Sequence, residues 1–215
     1  MQVLVIASRK GGVGKTTLAG HLAVAATQAG AGPVVLIDTD PQASLAAWWN
    51  ARAAQEPGFA QADIADLAEQ IEALRAAGAR LVVIDTPPAI GDTIAQVVAL
   101  ADLVLIPTRP SPHDLRSIGS TVELVEAAGR RLAFVINGAA HRARLTAQAA
   151  IELSAFGAVA PAVLHQRTDF ASSMIAGETA QELDSNSKSA TEVRALWTFT
   201  AGLLGKTGKP KTPRR

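Results

Sequence analysis

Six short runs of consecutive apolar residues punctuate this chain: QVLVIA (2–7), PVVLID (33–38), RLVVIDT (80–86), DLVLIP (102–107), RLAFVIN (131–137) and, more weakly, GAVAPAVL (157–164). A strand with one wet face alternates apolar and polar residues. Runs that are apolar at successive positions bury both faces, as parallel strands do when helices cover the sheet on either side. Between the runs, segments 15–29, 64–77, 91–100, 112–128 and 144–155 carry helical spacing, and a last helix is expected over about 188–204. Strand, helix, strand repeated in this way predicts right-handed crossovers and a doubly wound α/β fold, a mainly parallel sheet with helices on both faces. No repeat or linker divides the chain, so one domain is expected over 1–205, followed by a flexible basic tail, 206–215. The first run starts at residue 2, and no helix-turn-helix module is expected ahead of it.

Composition removes several functions. Of 215 residues, 48% are hydrophobic and 18% charged, which describes a packed globular chain. There is no cysteine, which excludes a disulfide framework, a cysteine-held iron–sulfur cluster and a thiolate zinc site. No apolar run reaches the roughly 18–20 residues needed to span a bilayer. The start, MQVLVIASRKGG, lacks the features of a signal peptide, so a cytoplasmic location is expected. Five of the 20 basic residues and none of the 19 acidic ones fall in the last ten, KTGKPKTPRR. Such a tail either rests on an acidic polymer or simply solubilises the chain.

The segment SRKGGVGKTT, Ser8 to Thr17, follows the first strand and opens the first helix. It nearly fits the phosphate-loop pattern G-x-x-x-x-G-K-[ST], with Arg9 in place of the first glycine. Gly11, Gly12 and Gly14, with Val13 between them, let the backbone turn and aim N–H groups at phosphate oxygens. The helix N-terminus adds its positive end. Lys15 is placed to reach β- and γ-phosphates, the Thr16 hydroxyl to ligate Mg²⁺, and Thr17 to bond a further phosphate. Lys10 is a second lysine that the pattern does not need.

Carboxylates stand at the ends of two further strands. VVLIDTDPQ supplies Asp38 and Asp40; LVVIDTPP supplies Asp85. Parallel strands deliver such residues to the crevice at their carboxyl ends. Asp85 reads as a Walker-B-type carboxylate on Mg²⁺, directly or through water, with Asp38 a further metal candidate and Asp40 the residue that orients or deprotonates the attacking water. An isolated aspartate there is ordinarily a cap or turn residue, but two beside a phosphate loop are less easily accidental.

KGGVGKTT, LIDTDPQASLAAWW, VVIDTPP and LIPTRPSPHDLRS resemble, in order and spacing, the deviant Walker ATPases of the ParA/MinD group. The resemblance is closest to small ParA-like partition ATPases without an N-terminal helix-turn-helix, and it extends through DFASSMIAGETAQEL to the final helix. It implies a P-loop NTPase fold of the SIMIBI type, ATP and Mg²⁺ as ligands, slow hydrolysis stimulated by partner and DNA, and an ATP-dependent homodimer. In this group a lysine at the position of Lys10 reaches the phosphates of the other subunit's nucleotide. The resemblance further implies that Asn137 touches adenine, that PTRPSPHD contributes to the dimer interface, and that Trp48 and Trp49 pack near the partner surface.

The ParA branch binds DNA without sequence preference and uses the nucleoid as a track, with a ParB-like or other adaptor releasing it. The cargo is then a plasmid, a chromosome or a protein assembly. Phosphate attachment needs basic residues on one face. The candidates are Arg130, Arg131, Arg142, Arg144, Arg167, Lys188 and Arg194, with the tail. The MinD branch instead inserts a C-terminal amphipathic helix into membrane. Trp197, Phe199, Leu203 and Leu204 could serve that end, but Val193, Leu196, Trp197 and Leu204 match the stripe of a packed helix, so no membrane is expected. A metabolic ligase or synthetase of the dethiobiotin type is the other alternative, and Lys10 argues against it.

Overall fold

The computed structural model describes residues 1–88, 91–141 and 144–206. Its strands are β1 (Gln2–Ile6), β2 (Val34–Asp38), β3 (Gly58–Gln61), β4 (Leu81–Asp85), β5 (Leu103–Thr108), β6 (Leu132–Ala139), β7 (Ala158–Val159) and β8 (Leu164–His165). They form an eight-stranded sheet in the order β3-β2-β4-β1-β5-β6-β7, with β8 also on β6. All pairings are parallel. The helices are α1 (Lys15–Gln28), α2 (Ser44–Asn50), α3 (Leu67–Ala76), α4 (Asp92–Ala99), α5 (Pro112–Arg116), α6 (Gly119–Ala127), α7 (Arg144–Ser154), α8 (Thr168–Ile175), α9 (Ala180–Leu183) and α10 (Lys188–Leu204). The doubly wound architecture is the one the apolar runs predict.

Alternate residues of each strand enter opposite cores. Leu4 and Ile6 of β1 pack with Leu18 and Leu22 of α1 and Val193 and Leu196 of α10. Val3 and Val5 pack with Ile71 of α3, Val97 of α4, Val122 of α6 and Leu153 of α7. Both faces of the strand are therefore dry, which is why neither face needed a polar residue.

This register sets the site. Asp38 and Asp85 are Cα partners across β2 and β4, and Ile6, the last residue of β1 before the loop, is the partner of Asp85 on the other side. The loop after β1 and the two aspartates thus meet at the carboxyl edge of three neighbouring strands.

Some elements differ from expectation. The helix expected over 112–128 is two, α5 and α6. The Ser117 hydroxyl donates to the Asp114 carbonyl at 2.8 Å, and the Ser117 N–H closes on the same carbonyl, so the turn ends there. The weak run 157–164 yields two two-residue strands on either side of Pro161, which has no N–H to give a ladder. Segment 64–77 opens with a 3-10 turn at Ile64–Asp66 before α3. The last helix falls where predicted, and Val193, Leu196, Trp197 and Leu204 are buried. Its apolar stripe is used by the core, and no helix among the described residues is long and apolar enough to cross a membrane.

Candidate active site

The loop between β1 and α1 turns on glycines. Gly12 and Gly14 take φ of +72° and +88°, a region that other residues rarely enter. Gly14 is doubly constrained, because a Cβ there would collide with Asn137 Nδ2. That amide donates to the Val13 carbonyl at 2.7 Å and so ties the loop to the end of β6. The first helical bond, Leu18 N–H to Gly14 carbonyl, is 2.9 Å. Lys15, the first residue of α1, is buried; loss of water lowers its pKa, and the carboxylates of Asp85 and Asp40 oppose that shift.

Asp85 is fully buried at the end of β4. Thr16 Oγ1 donates to its Oδ2 at 2.6 Å, while Oδ1 has no partner among the described residues. Burial pushes its carboxyl up to about 7; the Thr16 hydrogen bond works against this, the neighbouring Asp38 with it, and the Lys15 ammonium against it. A buried acceptor with a free oxygen beside a threonine hydroxyl fits a divalent cation that takes its other ligands from phosphate and water. No group of three or more His, Cys, Asp or Glu side chains among the described residues makes a metal cage by itself.

Asp38, a metal candidate by its strand-end position, is held by backbone donors. Its Oδ2 accepts the N–H groups of Leu45 and Ala46, each at 3.0 Å, and its Oδ1 accepts that of Asp40 at 3.0 Å. Both oxygens are committed to the orphan donors at the start of α2 and to the Asp40 turn. Asp38 shapes the segment that carries Asp40. Asp40 itself is half-buried and lines the cleft above the loop.

That cleft, about 780 Å³, is walled by the glycine loop, Lys15, Thr16, Thr17 and Asp40 on one side and by Ala47, Trp48, Met174 and Ile175 on the other. Arg109, at the end of β5, also lines it. It is exposed, runs beside Gly138, and forms no ion pair among the described residues. Sequence reading placed Arg109 only within PTRPSPHD, a stretch expected at a dimer interface; nothing local marks an arginine as facing a cleft. A smaller cavity, about 170 Å³, adjoins at Gly14 and Thr17 and is lined by Asn137, Gly138, Gln166 and Arg167.

Lys10 does not line the cleft. Its ammonium forms an ion pair with Asp114 of α5, on the other side of the loop. The two tryptophans are stitched into the chain. Trp48 is buried against Gly20 of α1, beneath the Arg52 guanidinium at 4.8 Å, and Trp49 stacks on Phe59. Two polar residues that sequence reading passed over hold this wall. Arg52 joins Glu182 at 2.7 Å, and His21 ties α1 to α9.

Of the seven basic candidates for a nucleic-acid face, Arg131, Arg167 and Arg194 are engaged within the chain. Arg131, beside the start of β6, donates to the carbonyls of Asp102, Leu203 and Lys206 and so caps the end of α10. Arg167 pairs with Glu192 at 2.6 Å, and Arg194 donates to the Ser185 carbonyl. Arg130 and Arg131 precede β6, and Arg144 opens α7. Arg144 and Lys188 are exposed, at the starts of α7 and α10. Arg142 and the tail from 207 onward lie outside the described residues.

A family model for the CobQ/CobB/MinD/ParA nucleotide binding domain matches residues 4–180. The chain is 41% identical over 152 residues to the maintenance of carboxysome distribution protein A of Gloeobacter kilaueensis, covering 67% of this chain and 62% of that protein. It therefore spans less than two thirds of that relative. It is 29% identical over 202 residues to the protein of the same name from Halothiobacillus neapolitanus, covering 88% and 91%. In three dimensions it is similar to the septum site-determining protein MinD from Pyrococcus horikoshii, solved with Mg-ADP, with a TM-score of 0.78 at 18% identity over 95% and 97% of the two chains. That last likeness is one of fold.

Proposed function

The chain belongs to the CobQ/CobB/MinD/ParA nucleotide-binding family, and on that premise we propose that it is a ParA-like ATPase that dimerises on Mg-ATP, attaches to DNA without sequence preference and positions a cargo. The unit is residues 1–205 with the basic tail after it. The observation that carries the reading is the different placement of two lysines of one loop: Lys15 lies in the phosphate cleft, and Lys10 is turned out of it onto Asp114.

ATP would lie with its phosphates on the N–H groups of Gly11 to Thr17 and on Lys15, and its base in the cavity beside Asn137. Thr16 and Asp85 would hold Mg²⁺, with Asp38 a further candidate. When bound, the ion neutralises charge on the β- and γ-phosphates. Asp40 holds the attacking water and accepts its proton. Lys15 has little water around it, so its charge acts on the phosphates at low screening. Lys10 completes a second copy's site. A cation supplied across a closed interface makes the dimer depend on the γ-phosphate, and hydrolysis then loosens it.

Attachment to DNA would rest on the tail with Arg144, Lys188 and Arg194, the exposed members of the basic set among the described residues, and would be salt-sensitive. The cargo is read from the named relatives: a protein compartment of the carboxysome kind, with a plasmid or chromosome as the other members of the class. A cognate adaptor would stimulate release, and the location would be cytoplasmic, on the nucleoid.

The test is light scattering with Mg²⁺ and ATP or ADP. Dimers with ATP only, lost in Lys10→Ala while nucleotide still binds, support the reading. Dimers that persist in Lys10→Ala contradict it.

A further inference from the structure

The feature that the proposed activity leaves unused is the carboxylate opposite Lys10. Asp114 sits in the first turn of α5, and its side chain is 4% exposed. No hydrogen bond from another described residue reaches its Oδ1, so the Lys10 ammonium is the charge that satisfies it. A buried carboxylate without such a partner is costly, so the pair holds firmly from the Asp114 side. Asp114 is itself fixed. Its N–H donates to the Ser111 hydroxyl at 3.2 Å, and its carbonyl accepts the Ser117 hydroxyl at 2.8 Å.

The neighbouring residue docks on the same segment. The Arg9 N–H donates to Thr121 Oγ1 at 3.4 Å and its guanidinium to Ser120 Oγ at 3.3 Å. The Arg9–Lys10 arm of the phosphate loop is thus laid against α5 and α6, whereas Lys15 and the glycines face the cleft. Lys10 nevertheless keeps 40% of its side chain exposed. An ammonium has three N–H donors, and one can stay on Asp114 while the others face outward.

We propose that Asp114 is the positioning residue of Lys10: its carboxylate keeps the ammonium off the chain's own phosphates and presents it, already ordered, to the triphosphate bound by a second copy. This rests on the reading in which Lys10 acts across the dimer. A free lysine is a four-carbon stem with many rotamers, and ordering it at the moment of association weakens association. Held by Asp114, it is ordered beforehand. The same contact keeps a second cation out of the cleft of the ATP-free monomer.

Asp114→Asn keeps the volume and removes the charge. The experiment measures the dimer dissociation constant of the full chain with Mg²⁺ and a non-hydrolysed ATP analogue by sedimentation. ADP affinity and the melting curve of the ADP form are measured in parallel. The expected result is dimerisation weakened roughly three- to tenfold, the cost of ordering one rotamer-rich side chain, with ADP affinity and melting unchanged. Dimerisation as in the wild type, or tighter, overturns the proposal. So does an equal loss of ADP affinity or an earlier melt, which would make Asp114 a merely structural support. If the wild type forms no dimer with ATP, the fault lies with the parent reading, and the two failures are distinguishable.

Discussion

Thr16 Oγ1 donates a 2.6 Å hydrogen bond to Asp85 Oδ2, and the other oxygen of that buried carboxylate has no partner among the described residues. Without a cation the arrangement costs stability. The folded-state carboxyl is pushed up to about 7 from 3.8, so the native state binds a proton more readily than the unfolded chain between those values. Stability of the ligand-free protein therefore falls as pH rises through that window. Asp85→Asn should make the ligand-free protein more stable at pH 8 by on the order of 2–4 kcal/mol, a gain that fades toward pH 4. The same variant should lose Mg²⁺-dependent hydrolysis. Urea unfolding at the two pH values, beside a turnover assay, checks both.

His21 gives the opposite pH dependence. It is almost fully buried; its Nδ1–H donates to the Thr17 carbonyl at 2.8 Å and its Nε2 accepts the Ala180 N–H at 3.0 Å. Burial lowers its pKa from 6.5 to about 4, with the Thr17 bond opposing. The unfolded chain takes up its proton first as pH falls, so stability present above 6.5 is lost between 6.5 and 4. The loss attributable to His21 should approach about 3 kcal/mol. His21→Gln should be less stable at pH 7 and show a shallower decline over that range in chemical denaturation.

Gly14 and Asn137 should be coupled. Gly14→Ala forces a Cβ into φ of +88° and into the Asn137 amide, and should abolish nucleotide binding. Asn137→Ala alone frees the Val13 carbonyl at a net cost of about 1 kcal/mol. In the double variant the collision is gone, so the two losses should add to less than their sum. A double-mutant cycle on melting temperature reads the difference.

Arg109 faces the phosphate cleft without an ion-pair partner among the described residues. Charged hydrogen bonds to phosphate are worth about 1.5–3 kcal/mol, less where water competes. Arg109→Ala should weaken ATP binding roughly tenfold with little change in the melt of the ligand-free protein. Equal affinity in a fluorescent-nucleotide titration would remove Arg109 from the site.

The buried strands were legible because each is apolar on both faces, and their register alone brings Asp85, Asp38 and the glycine loop together. β3 was not, since GFAQ is a half-buried edge with no run to show. Asp38 shows the limit for side chains. Its strand-end position suggests a metal ligand; that backbone N–H groups of the helix SLAAWWN also reach it is not visible in the sequence. The basic candidates show the same limit. Whether Arg131 meets solvent or the carbonyls of Leu203 and Lys206 depends on where α10 ends against the sheet. Lys10 was picked out by pattern, but nothing in the expected helix 112–128 marked Asp114 as its partner.

The account stands or falls on whether nucleotide state controls attachment to DNA through Lys10. The direct measurement is binding to non-specific duplex DNA with Mg²⁺ and ATP or ADP, at two salt concentrations, for the wild type and Lys10→Ala. Salt-sensitive binding with ATP only, lost in Lys10→Ala, is the predicted result. Nucleotide binding without any ATP-dependent gain in DNA binding would contradict it.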